Sequence, residues 1–261
     1  MIEIQSRQNA ALKHLARLGR ERKYRRSTGE MLCEGEKMLT EALRSGAEIK
    51  TVLVRRGFES GELRQAEKQG AAMYCAEDAL FCLASEVESP QNVIFSCMQP
   101  QWDAAALDDR EQVLLLDGLQ DPGNLGTILR TAEGAGVTGI LMTEGCVDLY
   151  NPKVIRSTMG SVYRMPFCYV SDFGAAIREL KKEGVKWYAA HLRGSGGHDT
   201  MDYTGPSGFL IGNESKGLSD KTADLADAYV RIPMCGQVES LNAAVASAIL
   251  MYEANRQRRA K

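Results

Sequence analysis

Cysteine, histidine and glycine are all present in this 261-residue chain, yet the spacings through which they usually carry chemistry are missing. The seven cysteines, at 33, 75, 82, 97, 146, 168 and 235, are odd in number, scattered and never spaced CxxC, which excludes a disulfide framework and a zinc module. They are expected to be reduced and mostly buried. The three histidines, at 14, 191 and 198, form no HxxxH pair, so no metal is expected. No apolar run approaches the ~18 residues that span a bilayer, and the opening MIEIQSRQNA lacks a signal-peptide core. A cytoplasmic protein with no membrane partner is the expectation. GxGxxG is absent too: Gly123-Asn-Leu-Gly126 has the wrong spacing for a pyrophosphate, which argues against a nicotinamide enzyme.

What is there is globular material, 44% hydrophobic and 25% charged, long enough for two modest cores. A net charge of −2 conceals a basic N-terminal arm. Residues 1–26 hold eight Lys or Arg against Glu3 and Glu21, a local charge of +6. Such a patch is the footprint of a phosphate-bearing partner, or else a solvated face. Arg7, Lys13, Arg22, Lys23, Arg25 and Arg26 are its candidate phosphate contacts.

After the arm, where Asn9 caps a short helix carrying Leu12, Leu15 and Leu18, strands alternate with helices. Strands are expected at 31–33, 50–55, 72–75 and 92–97, and helices at 36–44, 62–68 and 78–84, the pattern of a small α/β sandwich closing near residue 98. Residues 99–111, with Pro, acidic residues and no apolar periodicity, read as a linker. A second α/β domain, 112–261, then begins. Val113-Leu-Leu-Leu116 is continuously apolar, as a central parallel strand covered on both faces must be. Its expected partners are 139–143, 188–192, 209–211 and 229–232, with helices at 125–135, 152–159, 173–183 and 241–256. The last helix shows Leu241, Val245, Ala248, Ile249 and Tyr252 on one face, to be covered either by the core or by a second copy of the chain.

Two blocks carry the chemistry. Asp117-Gly-Leu-Gln-Asp-Pro-Gly-Asn-Leu-Gly-Thr-Ile-Leu-Arg130 follows a strand, with Asn124 read as a helix N-cap and Arg130 two turns on. Gly212-Asn-Glu-Ser-Lys-Gly-Leu218 follows another strand and is completed by Ile232-Pro-Met234 and Ser240-Leu-Asn242. In open α/β sheets, ligands bind at the carboxyl ends of strands. Glu214, Ser240 and Asn242 place polar groups there, and Ile232–Met234 offers apolar surface and free backbone groups for a flat heterocycle.

Together with Asn151-Pro-Lys-Val-Ile-Arg-Ser-Thr-Met-Gly160, these blocks closely resemble the motifs of the SpoU (TrmH-type) RNA 2'-O-ribose methyltransferases, and residues 1–98 resemble the L30e-like substrate-binding domain that precedes the catalytic domain in many members. The resemblance implies an α/β fold in two parts: an L30e-like sandwich, then a trefoil-knotted domain with a mainly parallel sheet. It implies S-adenosylmethionine as cofactor, held by Gly212, Ile232 and Leu241 with His191, Leu192 and Met234 alongside, and a catalytic set of Asn124, Arg130, Glu214, Ser240 and Asn242. It also implies RNA as partner, 23S ribosomal RNA ahead of tRNA, and a homodimer through the knotted domain. A non-catalytic RNA-binding protein of the same fold is the competing expectation. Ser215 stands where Gly is commoner in the family, and Thr158 where Ser is usual. Guanidinium stays protonated in proteins, so Arg130 is expected to bind a phosphate and offset developing oxyanion charge rather than to abstract a proton.

Overall fold

The computed structural model describes residues 1–102, 109–194 and 196–260. The middle of the expected linker, 103–108, lies outside the described residues. The chain forms two compact units, Met1–Gln101 with Asp148–Arg164, and Trp102–Val147 with Met165–Lys261.

In the first unit the described elements are β1 (Ile2–Ile4), α1 (Ala10–Arg20), α2 (Arg22–Thr28), β2 (Glu30–Glu34), α3 (Glu36–Arg44), β3 (Ile49–Arg55), α4 (Gly61–Lys68), β4 (Ala72–Ala76), α5 (Asp78–Phe81) and β5 (Val93–Met98). The sheet runs β1-β4-β3-β5-β2, with β4 parallel to β1 and β3, and β5 antiparallel to β2 and β3. The Asn9 side chain caps α1 by accepting from the amides of Ala11 and Leu12. Leu12, Leu15 and Leu18 recur on one face and are at most 2% exposed, each worth about 1.5–3 kcal/mol of burial. They pack with Leu32, Leu53, Phe81 and Ile94.

The excursion Asp148–Arg164 adds a helix at Pro152–Thr158. It is anchored by the Tyr163 hydroxyl, 3.1 Å from Cys33 Sγ, and by an Arg164–Glu41 ion pair at 2.7 Å. These residues read by pattern as part of the second domain. Their packing is with the first because Tyr163, Val154, Ile155 and Val162 bury themselves there.

The second unit comprises β6 (Gln112–Leu116), α6 (Pro122–Ala135), β7 (Gly139–Thr143), β8 (Phe167–Val170), α8 (Phe173–Lys182), β9 (Lys186–Ala190), β10 (Gly196–Gly197), β11 (Ser207–Ile211), α9 (Asp220–Ala223), β12 (Ala228–Arg231) and α10 (Ala243–Arg259); α7 is the Pro152–Thr158 helix of the first unit. Its sheet runs β10-β12-β9-β11-β6-β7-β8, with parallel pairing throughout the described ladders. β6 and β11 are buried along their whole length, as strands covered on both faces require. The order reverses beside β6, whose chain leaves through α6 to β7 on one side while β11, β9 and β12 lie on the other. In open sheets of this kind ligands bind at the carboxyl ends of the strands.

Two expectations meet a mixed outcome. The face of α10 that reads as apolar is partly covered, Leu241, Ala248 and Ile249 being half-buried and Val245 and Tyr252 about half exposed, while Ala244, Ser247, Leu250, Met251 and Ala254 face inward. α10 lies against α6, where the Tyr252 hydroxyl stands 3.2 Å from the position a Cβ on Gly134 would take. Of the cysteines, Cys33, Cys97 and Cys146 are buried, whereas Cys82 and Cys235 are exposed.

Candidate active site

The crevice at the carboxyl ends of β9, β11 and β12 is a cleft of about 330 Å³, within the size range of small-molecule sites. His191, Leu192, Gly212, Ile232, Met234 and Leu241, the six residues expected at the cofactor, all line it, as do Glu214 and Ser240. Its apolar surface includes Leu192, Ile211, Ile232, Met234 and Leu241, and its polar groups include Glu214, Glu239 and Ser240 together with the cations Lys216 and Arg231.

One wall is the loop Gly212–Gly217. Asn213 Oδ1 accepts from the amides of Ser215 (2.9 Å) and Lys216 (3.1 Å), and the Asn213 and Gly217 backbones pair reciprocally at 3.2 and 2.8 Å. Asn213 Nδ2 reaches across to the Gly118 carbonyl at 2.7 Å, tying the loop to the end of β6. A Cβ on Gly212 would come within 2.5 Å of the Gly217 carbonyl oxygen and closer still to the Gly217–Leu218 peptide. Only glycine lets the loop fold back this tightly.

From the same loop, Glu214 reaches the turn that leads into α6. Its carboxylate accepts from the backbone amides of Gln120 (3.0 Å) and Asp121 (2.8 Å) and from Asn124 Nδ2 (3.1 Å). Burial pushes the carboxyl upward, but those two amides and the Asn124 side chain outweigh it and hold the group below its ordinary range. A carboxylate so stabilised is a poor proton acceptor; it fixes the turn that leads into α6.

Asn124 is not the cap of that helix. Asp121 is, its Oδ1 accepting from Asn124 N at 2.7 Å, with Pro122 in the first helical position. Asn124 sits inside the first turn and is left free to bond sideways. Asn242 Nδ2 donates to Asn124 Oδ1 at 2.8 Å, while Asn242 Oδ1 caps α10 by accepting from Ala244 and Val245. The amides therefore line up in one direction, Asn242 to Asn124 to Glu214. The supporting residues Asn213, Gln120 and Asp121 were not among the expected site residues, though the Asp-Pro step at 121–122 is itself a helix-start signal.

Arg130 is the exception. It is exposed and has no hydrogen bond or ion pair among the described residues, and it does not line the cleft. α6 and α10 run side by side in the same direction, since Asn124 meets Asn242 near their starts and the Ala135 carbonyl meets Asn255 Nδ2 near their ends. This places Arg130 level with the middle of α10.

The candidate RNA contacts divide in the same way. Arg25 is removed from them: it is 3% exposed, and its guanidinium is engaged by Asp148 and the Leu18 carbonyl. Lys13 is exposed and bonds to Gln8. Arg7, Arg22, Lys23 and Arg26 are exposed without ion-pair partners among the described residues.

A parallel α/β unit with a cleft of this make, preceded by a smaller mixed-sheet unit, defines a class, and known proteins agree with it. The SpoU rRNA methylase family matches residues 111–252, and the MRM3-like substrate-binding domain matches residues 9–94. The chain is 33% identical to the 23S rRNA (guanosine(2553)-2'-O)-methyltransferase RlmP of Bacillus subtilis, across 97% of this chain and 98% of that one. It is also 33% identical to the 23S rRNA (uridine(2479)-2'-O)-methyltransferase of Streptomyces viridochromogenes, across 91% and 86%. The crystal structure of an AdoMet-bound rRNA methyltransferase from Sinorhizobium meliloti superposes with a TM-score of 0.86 at 32% identity, covering 97% of both chains. The chain belongs to the SpoU rRNA methylase family.

Proposed function

We propose that this protein is an S-adenosylmethionine-dependent RNA methyltransferase that modifies a ribose 2'-hydroxyl of 23S ribosomal RNA, working in the cytoplasm where ribosomes are. The observation that carries the reading is the Asn242–Asn124–Glu214 chain standing beside a cleft of cofactor size. The cleft suits the cofactor chemically: apolar Leu192, Ile232, Met234 and Leu241 match a flat adenine, and the backbone of the Gly212 loop lines the cleft beside them. When bound, the sulfonium supplies the methyl group for in-line displacement by the ribose oxygen.

The protein's own part is alignment and charge. Glu214 holds the Gln120–Asp121 turn, and the two asparagines fix the entries of α6 and α10 to each other, so the wall facing the incoming ribose is set before substrate arrives. Ser240, exposed at the cleft, is placed to contact RNA or cofactor. Arg130, kept cationic, binds the neighbouring phosphate and offsets oxyanion charge, and the proton leaves through phosphate or water.

The same reading includes a homodimer. Val245 and Tyr252 leave an apolar strip on α10, and a second copy docked there by two-fold symmetry carries each Arg130 toward the other's cleft. It includes the trefoil threading as well, since the segment after β12 returns to the entry of α6 at Asn242. Ribosomal RNA is favoured over tRNA by the substrate-binding unit and by what the full-length relatives act on. Labelled-methyl transfer into separated ribosomal and transfer RNA pools, followed by mapping of alkali-resistant linkages, tests the assignment. Label in tRNA alone, or in neither pool, overturns it.

A further inference from the structure

Within the first unit, two cationic segments far apart in sequence are tethered to each other. Arg25 of α2 donates to Asp148 Oδ2 from Nη2 at 2.6 Å and from Nε at 3.2 Å, with side chains 4% and 13% exposed. The Asp148 carbonyl then accepts from Asn151 N (3.0 Å), and Asn151 caps α7 through Lys153 N (2.9 Å). Five residues of chain separate Asp148 from Lys153, so their Cα atoms lie within about 18 Å. Glu86 supplies a second tether: it pairs with Arg20 at 2.6 Å and shares a small recess with Pro152 and Arg156. The α1–α2 junction and the first turn of α7 thus border the same acidic side chain.

Around these tethers the cations sort into two kinds. Arg17 is occupied by Glu21 and the Tyr24 ring, Arg20 by Glu86, and Arg25 by Asp148. Arg22, Lys23 and Arg26 on α2, and Lys153 and Arg156 on α7, have no side-chain partner among the described residues. The other carboxylate in the recess, Glu34, accepts from Ser85 and from Gln91 N rather than from Arg156. Cations left unpaired in a chain of net charge −2 are those that can neutralise phosphates and release counterions.

We propose that Lys153 and Arg156 join Arg22, Lys23 and Arg26 in one phosphate-binding face for the RNA substrate, with the buried Arg25–Asp148 pair as the positioning element that sets α2 against α7. This rests on the RNA reading above and extends it to residues of the Asn151–Gly160 motif. A buried pair is a suitable spacer because it is rigid, and breaking it strands a charge.

The test is equilibrium binding of the full-length protein to a protein-free 23S rRNA transcript between 50 and 200 mM salt. Arg22→Ala/Lys23→Ala/Arg26→Ala and Lys153→Ala/Arg156→Ala are each expected to weaken binding about tenfold or more. Each lost contact is expected to lower the slope of log affinity against log salt by about 0.7. S-adenosylmethionine affinity, read by calorimetry, is expected to stay at the wild-type value in both, which also shows that they fold. Lys153→Ala/Arg156→Ala binding within twofold of wild type, with an unchanged slope, overturns the shared face. A wild type that binds the cofactor but neither binds nor methylates the transcript overturns the RNA reading itself, and the face with it.

Discussion

The side-chain amide of Asn242 donates to the side-chain carbonyl of Asn124 at 2.8 Å, joining the start of the last helix to the first turn of α6 across 118 residues of sequence. Asn242 does two jobs with two atoms, since its Oδ1 also caps α10.

Aspartate separates those jobs. Asn242→Asp keeps an acceptor for the Ala244 and Val245 amides, and Asp caps helices about as well as Asn, but it has no N–H for Asn124. Thermal stability is expected to change by less than about 1 kcal/mol, while single-turnover methyl transfer falls about tenfold to a hundredfold through misalignment. Asn242→Ala loses both and is expected to be the less stable of the two. Equal melting and equal rates for Asn242→Asp and wild type would show that the Asn124 contact is idle.

Glu214 makes the fold sensitive to acid in a defined direction. Its carboxyl is held below its ordinary value by the Gln120 and Asp121 amides and the Asn124 side chain, against the upward push of burial. A group whose folded value is depressed contributes stability that is fully present above the unfolded value, about 4.3 for Glu, and that is lost as pH falls through the lower folded value. Glu214→Gln removes the titration and leaves a side-chain N–H2 facing backbone donors. The melting-temperature gap between wild type and Glu214→Gln is therefore expected to be constant above about pH 5 and to narrow below about pH 4. A gap that widens on acidification would contradict the stabilised carboxylate.

Much of the fold is written in local pattern. α3 and β7 occupy the residues that periodicity marks, because Met38, Leu39, Ala42 and Leu43 recur at helical spacing and Ile140-Leu-Met142 is continuously apolar. α2 leaves no such mark: Arg-Lys-Tyr-Arg-Arg-Ser-Thr is polar throughout and is anchored by the buried Arg25, whose partner lies 123 residues away. β8, only Phe167–Val170, is too short to stand out. At the site, residue types in the two blocks mark the loops that gather at the cleft. The direction of the amide chain depends on contacts between segments about ninety or more residues apart, which no local window contains, whereas the Asp121 cap is a contact only three residues long that the Asp-Pro step signals.

Gly212 can be tested against a neutral control. Gly212→Ala drives a Cβ into the Gly217–Leu218 backbone, whereas a Cβ on Gly205 meets nothing within 4 Å. Relieving the clash shifts the cleft wall at a cost of about 3 kcal/mol, on the order of a hundredfold in S-adenosylmethionine affinity. Calorimetric titration should show that loss for Gly212→Ala and none for Gly205→Ala. Unchanged affinity in Gly212→Ala would place the cofactor away from this loop.

Arg130 poses the sharpest question, because the guanidinium expected at the reaction is exposed and does not line its own chain's cleft. If a two-fold dimer delivers it to the neighbouring cleft, two inactive variants complement each other. Arg130→Ala and Asn242→Ala, each inactive alone, pair at random so that half of the dimers are mixed. One site in each mixed dimer then holds both native residues, restoring about a quarter of wild-type activity. Were Arg130 to act within its own chain, every site in every combination would lack one residue and mixing would restore nothing. Tyr252→Glu, which puts a charge in the apolar strip, is expected to yield a monomer by sedimentation, with cofactor affinity retained and methyl transfer lost. The stability of Arg130→Ala should match wild type within about 0.5 kcal/mol, as for an exposed side chain with no partner. A neutral-pH limb in the wild-type rate profile that disappears in Arg130→Ala would instead assign the proton abstraction to Arg130 itself.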